Sequence, residues 1–183
     1  TLNTDFHSMI HGTIGYMAGY LDEQDQPPAA MSYLELVESA ESRDSEPPAY
    51  IYMTRRPFEL ETDKQHNLIC IGGPEEYLED HREYSPDMEY RDLSTVEMTE
   101  FLHETVRDAP ADPKYTYQWH GLMGYTTNNI RRVGPEPTEP RLLYNLGCNG
   151  VGILPSIFGG HRIARYVNNE PVEPSMFDVP GSA

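Results

Sequence analysis

The alternation of apolar and polar residues divides this chain into a series of short elements. Phe6, Met9, Ile10, Ile14, Met17 and Leu21 recur at a spacing that fits one face of a helix over residues 6–21. Gly12, Gly15 and Gly19 interrupt that face, each costing about 1 kcal/mol relative to alanine. Residues 22–30 are polar and close on Pro27-Pro28, as a loop does. A short helix is predicted over Met31–Glu41, and the charged stretch 42–49, with its own Pro-Pro pair, reads as a linker. Tyr50–Thr54 and Leu68–Ile71 are predicted strands of a hairpin, joined by a charged connection around Thr62–His66. Residues 74–92, acidic and tyrosine-bearing, read as a surface excursion.

The second half is more regular. Ser94-Thr95-Val96-Glu97 has the spacing of a capping box, with the Ser94 hydroxyl on an early N–H and Glu97 reaching back. Val96, Phe101, Leu102 and Val106 give the helix an apolar face, and it should stop near Asp108, before Pro110. Tyr115–Met123 reads as a strand, residues 134–141 as proline-rich and irregular, Leu142–Leu146 as the last strand and Ser156–Val167 as the last helix. After Asn168, prolines at 171, 174 and 180 mark a tail that wraps or frays. Antiparallel strands, a helix and a closing strand–turn–helix unit make an α+β chain.

Composition narrows what such a chain can do. Its 183 residues suffice for one good core, and an apolar fraction of 38% is low without being that of a disordered chain. The net charge of −17 disfavours nucleic acid and anionic membranes as partners. It makes the surface a solubilising one, with recruitment of a cationic amine as the sharper alternative. No apolar run approaches the roughly 18 residues that span a bilayer. Cys70 and Cys148 are too far apart in sequence for a short-spaced zinc motif, which points to a reducing, cytoplasmic setting. The sequence shows no signal peptide; it begins at Thr1 without a methionine, which leaves room for one removed by processing or excision.

Several polar groupings carry no chemistry. His7 and His11 have no third ligand nearby, so no metal is expected. His103 beside Glu104 should face solvent, and Ser156 lacks a nucleophile elbow around it. Glu75-Glu76 and Glu79-Asp80 read as a charged loop rather than a tuned acid–base pair.

The chemistry is concentrated near the C-terminus. Leu142–Leu146 runs into Gly147-Cys148-Asn149-Gly150-Val151-Gly152-Ile153, and Gly159-Gly160-His161-Arg162-Ile163-Ala164 follows. Glycines at 147, 150 and 152 let a backbone turn sharply and approach a flat group closely. A helix starting just after such a turn presents unpaired N–H groups and a positive dipole end, which suits an anion or the electron-rich edge of a ring. Upstream, Trp119-His120-Gly121-Leu122-Met123-Gly124-Tyr125-Thr126-Thr127-Asn128-Asn129 leads to Arg132-Val133-Gly134-Pro135. With Tyr52–Pro57 and Asn67–Gly73, these motifs resemble the C-terminal part of the FAD-dependent amine and amino-acid oxidoreductases. That family includes D-amino-acid, glycine, sarcosine and gamma-glutamylputrescine oxidases. The resemblance runs from about residue 48 to 168.

The resemblance implies a substrate-binding antiparallel sheet with flanking helices at 48–134, and the last strand and helix of a Rossmann-type FAD domain at 135–168. Residues 1–47 would form an N-terminal segment outside it, and 169–183 a tail. It implies flavin contacts from Gly147, Cys148, Asn149, Gly150, Val151, Gly152 and Ile153, with Tyr125 and Thr126 close by. Arg55 or Arg56 would meet a substrate carboxylate or carbonyl; exposed strand-end charge is the alternative for both. Trp119 would pack under the cofactor or touch substrate.

The departures are equally informative. The G-x-G-x-x-G fingerprint and its ribose-binding acid are absent, so FAD would be held weakly, with a missing N-terminal part or another chain as partner. Val151 and Leu154 replace a histidine and a lysine of the sarcosine-oxidase branch, and Asn128 replaces a frequent aspartate. Met123 stands where some relatives attach FAD through cysteine; a thioether cannot form that bond, so FAD would be non-covalent. The implied activity is oxidation of an amine or amino acid by hydride transfer to flavin. The alternative is a non-catalytic α+β module without bound flavin.

Overall fold

The strand Ile10–Asp22 (β1) occupies most of the stretch whose spacing suggests a helix. Ile14, Tyr16, Ala18 and Tyr20 are buried at every second position, as on one face of a strand, and Thr13 is buried on the other. Alanine and tyrosines on the buried face, with Met17 and Leu21 off it, hide the period-two signal, and three glycines disfavour the helical alternative. The computed structural model describes residues 8–23, 26–34, 50–59, 65–80 and 83–181. Phe6, His7, the stretch 35–49 and the connection 60–64 lie outside them.

Ala29–Leu34 (β2) is also a strand where a helix over Met31–Glu41 was expected; residues beyond 34 fall outside the described set. Tyr50–Glu59 (β3) and Gln65–Leu78 (β4) form the expected hairpin, longer than the apolar runs suggest. Tyr52 pairs with Gly72, Thr54 with Cys70 and Arg55 with Ile69 in an antiparallel ladder. The α-helix Asp92–Thr105 (α1) precedes Tyr117–Thr126 (β5). The five strands form an antiparallel sheet in the order β2-β3-β4-β1-β5. Arg132–Glu136 (β6) and Glu139–Leu146 (β7) make a separate two-stranded sheet, and Ile153–Val167 (α2) closes the sequence of elements. The chain is therefore α+β.

Two compact units emerge. One contains residues 14–76 and 85–121, the other residues 1–13, 77–84 and 122–183. In the first, Ile14, Met53, Leu68, Ile69, Ile71, Met98 and Leu102 are buried. Phe101 of α1 stacks edge-on against Tyr33 of β2, with ring centroids 4.8 Å apart. Gly72 is required by packing, since a methyl group there would run into the Met17 sulfur and the Tyr52 ring.

Helix α1 starts differently from its sequence signature. Arg91, not Ser94, is the N-cap residue, and no side-chain cap bond forms. Ser94 lies inside the first turn, fully buried, with its hydroxyl unpaired among the described residues. The buried face is Ser94, Met98 and Leu102, a stripe rotated away from the expected one, so Val96 is exposed. The helix stops at Thr105, with the Val106 N–H closing onto the Leu102 carbonyl. Ser94, Met98 and Leu102 are four apart, so they lie on one face of the helix.

In the second unit, residues 132–146 are a hairpin rather than the irregular segment expected at 134–141, with Gly134 opposite Tyr144 and a bulge between Pro135 and Glu136. Prolines obscured the strand signal because they are tolerated at sheet edges and bulges. Helix α2 packs against β6 and β7. The C-terminal segment wraps: the Val133 N–H donates to the Phe177 carbonyl at 2.7 Å, and Val179 is buried with Tyr144. Buried Arg162 on α2 anchors this segment, donating to the Glu173 carbonyl at 2.8 Å and pairing with Asp178.

Candidate functional site

The glycine turn joins β7 to α2, where the sequence placed it. Its shape is set by three left-handed residues: Gly147 at φ 80°, Asn149 at φ 49° and Gly150 at φ 71°. Asparagine tolerates that region better than most side chains do. Asn149 also clamps the turn. Its Oδ1 accepts from the Thr126 N–H at 2.8 Å and from the Thr126 hydroxyl at 3.2 Å, while its own N–H donates to the Gly124 carbonyl at 3.1 Å. Thus the end of β5 and the turn form one hydrogen-bonded corner.

That corner brings Tyr125 and Thr126 together with Gly147–Ile153. The close approach that the glycines permit is made by the chain's own side chains. An added methyl group would lie 2.6 Å from Thr126 Cγ2 at Gly147, and 2.7 Å from the Tyr125 hydroxyl at Gly150. At Gly152 the nearest atom would be Cys148 Cβ at 3.6 Å, an ordinary van der Waals contact, so a side chain is tolerated there. Thr126 is fully buried, whereas Tyr125 is half-buried and stacks on His11 with centroids 5.9 Å apart.

The outward face of the corner is apolar and uncovered. Val151, Ile153 and Leu154 are 69%, 78% and 76% exposed, and Ile157 is exposed on the next turn. Gly152 is the N-cap, with no side-chain cap bond, and the first turn of α2 holds no acidic residue. The Ser156 N–H already closes onto the Gly152 carbonyl at 3.0 Å. Pro155 has no N–H, so Ile153 and Leu154 supply the outward amides of this helix start. Their direction and dipole suit the electron-rich edge of a ring or an anion.

Two residues that sequence reading passed over complete the underside. Arg131, just before β6, is 4% exposed; its Nη2 donates to Ser156 Oγ at 3.1 Å, and its Nε and Nη1 have no partner among the described residues. Burial lowers its pKa. Asn145 on β7 donates to the Ser156 carbonyl at 3.2 Å and occupies the space that Gly159 leaves, where a methyl group would meet Asn145 Oδ1 at 2.5 Å. The Gly159 signal was visible in the sequence; its partner was not.

Arg55, Arg56 and Trp119 belong to the other unit. Arg55 Nε donates to the Pro27 carbonyl at 2.8 Å and Nη1 donates to the Gln26 side chain, so the guanidinium ties down the segment before β2. Arg56 is exposed. Trp119 is 42% exposed on β5 rather than packed in a core. Strands β4 and β1 separate β3 from β5, which places Arg55 and Trp119 about 14 Å apart across the sheet. They do not form one pocket. A hollow of about 320 Å³ lies on α1, lined by Thr95, Thr99, Glu100, Asp112 and Tyr115 among others.

Among the described residues, no group of three or more histidines, cysteines or carboxylates could hold a metal, and no helix is long and apolar enough to cross a membrane. No protein-family profile, curated protein or solved structure matches the chain.

Proposed function

We propose that this chain is the substrate-side and C-terminal flavin-contacting part of an FAD-dependent oxidoreductase acting on an amine or amino acid. The observation that carries the reading is the corner at the start of α2. Its glycine turn is held by Asn149 and Thr126 and leads into the uncapped start of α2, where Val151, Ile153 and Leu154 are exposed. Bound FAD would accept a hydride from the carbon beside the amine nitrogen. The chain's own part is to place those amide dipoles, already oriented, against an electron-rich ring edge. Apolar Val151, Ile153 and Leu154 would exclude water around it.

The fit is partial. An outward amide pair and an apolar rim suit a ring edge, but the sequence has no glycine-rich fingerprint to cradle a pyrophosphate. A missing N-terminal part or another chain would supply that cradle. The carboxylate clamp assigned to Arg55 is not part of the proposal, since its guanidinium is engaged by Pro27 and Gln26. The last strand and helix of a Rossmann-type domain remain the proposed origin of β7 and α2. Two free thiols fit a reducing, cytoplasmic setting.

A second reading is favoured by a specific observation: Thr126 and Tyr125 fill the clearance at Gly147 and Gly150. On that reading the glycines serve packing, and the chain is a non-catalytic α+β module. Titrating the purified chain with FAD separates the two. The flavoenzyme reading expects saturable quenching of flavin fluorescence that weakens when Gly152→Val adds bulk beside the start of α2. Unchanged flavin fluorescence up to millimolar protein supports the module.

A further inference from the structure

We propose that the start of α2 is an oxyanion-binding site, suited to a phosphoryl group, in which buried Arg131 and the free helix amides share one ligand. This inference does not depend on the flavin reading.

Arg131 poses the physical problem. A guanidinium keeps its proton, and a buried one calls for an anion or a full set of acceptors. Arg131 is 4% exposed, yet only its Nη2 is engaged, donating to Ser156 Oγ at 3.1 Å. Nε and Nη1 have no acceptor among the described residues, and no carboxylate among those residues pairs with Arg131. The Cys148 thiol, beside Gly152, is itself a donor, to the Gly124 carbonyl at 3.5 Å.

The place of the guanidinium sharpens the shortfall. Ser156 lies in the first turn of α2, one turn after Gly152, and helical side chains lean back toward the N-terminus. Its hydroxyl therefore holds the guanidinium at the helix end that already carries positive charge. Gly152 caps that end without a side-chain bond, and the first turn holds no acidic residue. The N–H groups of Gly152, Ile153 and Leu154 have no acceptor among the described residues. Two independent sets of donors, one on Arg131 and one on α2, thus meet with no carboxylate among the described residues to balance them. Gly152 leaves room for an approach: apart from its chain neighbours, only Cys148 Cβ, at 3.6 Å, comes within 4 Å of a methyl group there. A tetrahedral oxyanion has oxygens for both sets, some taking guanidinium N–H groups while others face the amides; a carboxylate offers only two. The net charge of −17 opposes any anion, so the expected dissociation constant is weak, about 1 mM.

The test is thermal unfolding at constant ionic strength, with sodium phosphate replacing sodium chloride. Matching the ionic strength removes the effect of screening. We expect the midpoint to rise by a few degrees and to saturate, half-way at about 1 mM phosphate, as binding to the folded state requires. Stabilisation by a merely excluded salt grows without saturating. Arg131→Gln should abolish the saturable part. Ser156→Asp sets a carboxylate beside the guanidinium in the first turn, so it should raise the midpoint in chloride and abolish the response to phosphate. Glycerol phosphate separates two sources of the same group. An ester bound as tightly as phosphate marks an organic phosphate as the ligand, and one bound about tenfold more weakly marks free phosphate. A midpoint indifferent to the choice of salt overturns the proposal. So does a saturable response that survives Arg131→Gln or Ser156→Asp, or one that acetate reproduces in full. If Arg131→Gln does not fold, Ser156→Asp decides.

Discussion

Glycines 147 and 160 show how differently one residue type can act within the same segment. Gly147 sits at φ 80° with Thr126 Cγ2 in the space a methyl group would take, whereas nothing lies within 4 Å of a methyl group at Gly160, inside α2. Gly147→Ala should therefore cost about 2 kcal/mol, from left-handed backbone strain plus the clash. Gly160→Ala should stabilise by about 0.5–1 kcal/mol, since alanine reduces unfolded-chain entropy and favours helix. Urea unfolding of both variants checks this pair; equal effects would show that the turn does not hold its shape. Both glycines were visible in the sequence as parts of a motif. Which one is structurally required was not, because that depends on Thr126, twenty-one positions away in the chain.

At the scale of elements, helix α1 and the central sheet each give a test. The capping box read from Ser94 and Glu97 implies that Ser94→Ala costs about 1 kcal/mol. The structure instead buries the Ser94 hydroxyl without a partner among the described residues, so the same change should be neutral or stabilising in thermal melts. Four-residue signatures specify that a helix begins nearby, but docking on the sheet selects the first turn and the buried stripe. The sheet carries a second prediction. Burial pushes Tyr16, Tyr20 and Tyr90 up to about 12, aided at Tyr16 by its hydrogen bond to Glu76 at 2.9 Å. In the unfolded chain these phenols ionise near 10. Between those values the folded state holds protons that the unfolded state has lost, so stability is intact below pH about 10 and falls as pH rises towards 12. Tyrosinate absorbance should show a late-titrating class that merges with the early one in denaturant; a single transition near 10 in the folded protein would contradict the burial.

For the whole molecule, charge governs behaviour. Thirty acidic against thirteen basic residues leave −17, and self-repulsion of that size opposes any compact state. The unfolding midpoint should rise by a few degrees as sodium chloride goes from low salt to several hundred millimolar, where screening shortens the reach of each charge. A midpoint that falls with salt would mean that specific ion pairs, such as Arg162–Asp178, outweigh the repulsion.

The α+β class, the β3–β4 hairpin, and the last strand, glycine turn and last helix followed from local order alone. Apolar runs, turn residues and helix signals act between near neighbours, and those forces are written in consecutive residues. Three things waited on the folded chain. The strand β1 reads as a helix until Ile14, Tyr16, Ala18 and Tyr20 are seen to share its buried face. Arg55 reads as either a substrate ligand or a strand-end charge in sequence, and its bonds to Pro27 and Gln26 are visible only in the fold. Arg131, buried against the first turn of α2, looks like any surface arginine in sequence. Burial and partner choice are properties of distant residues brought together. No spacing along the chain encodes them.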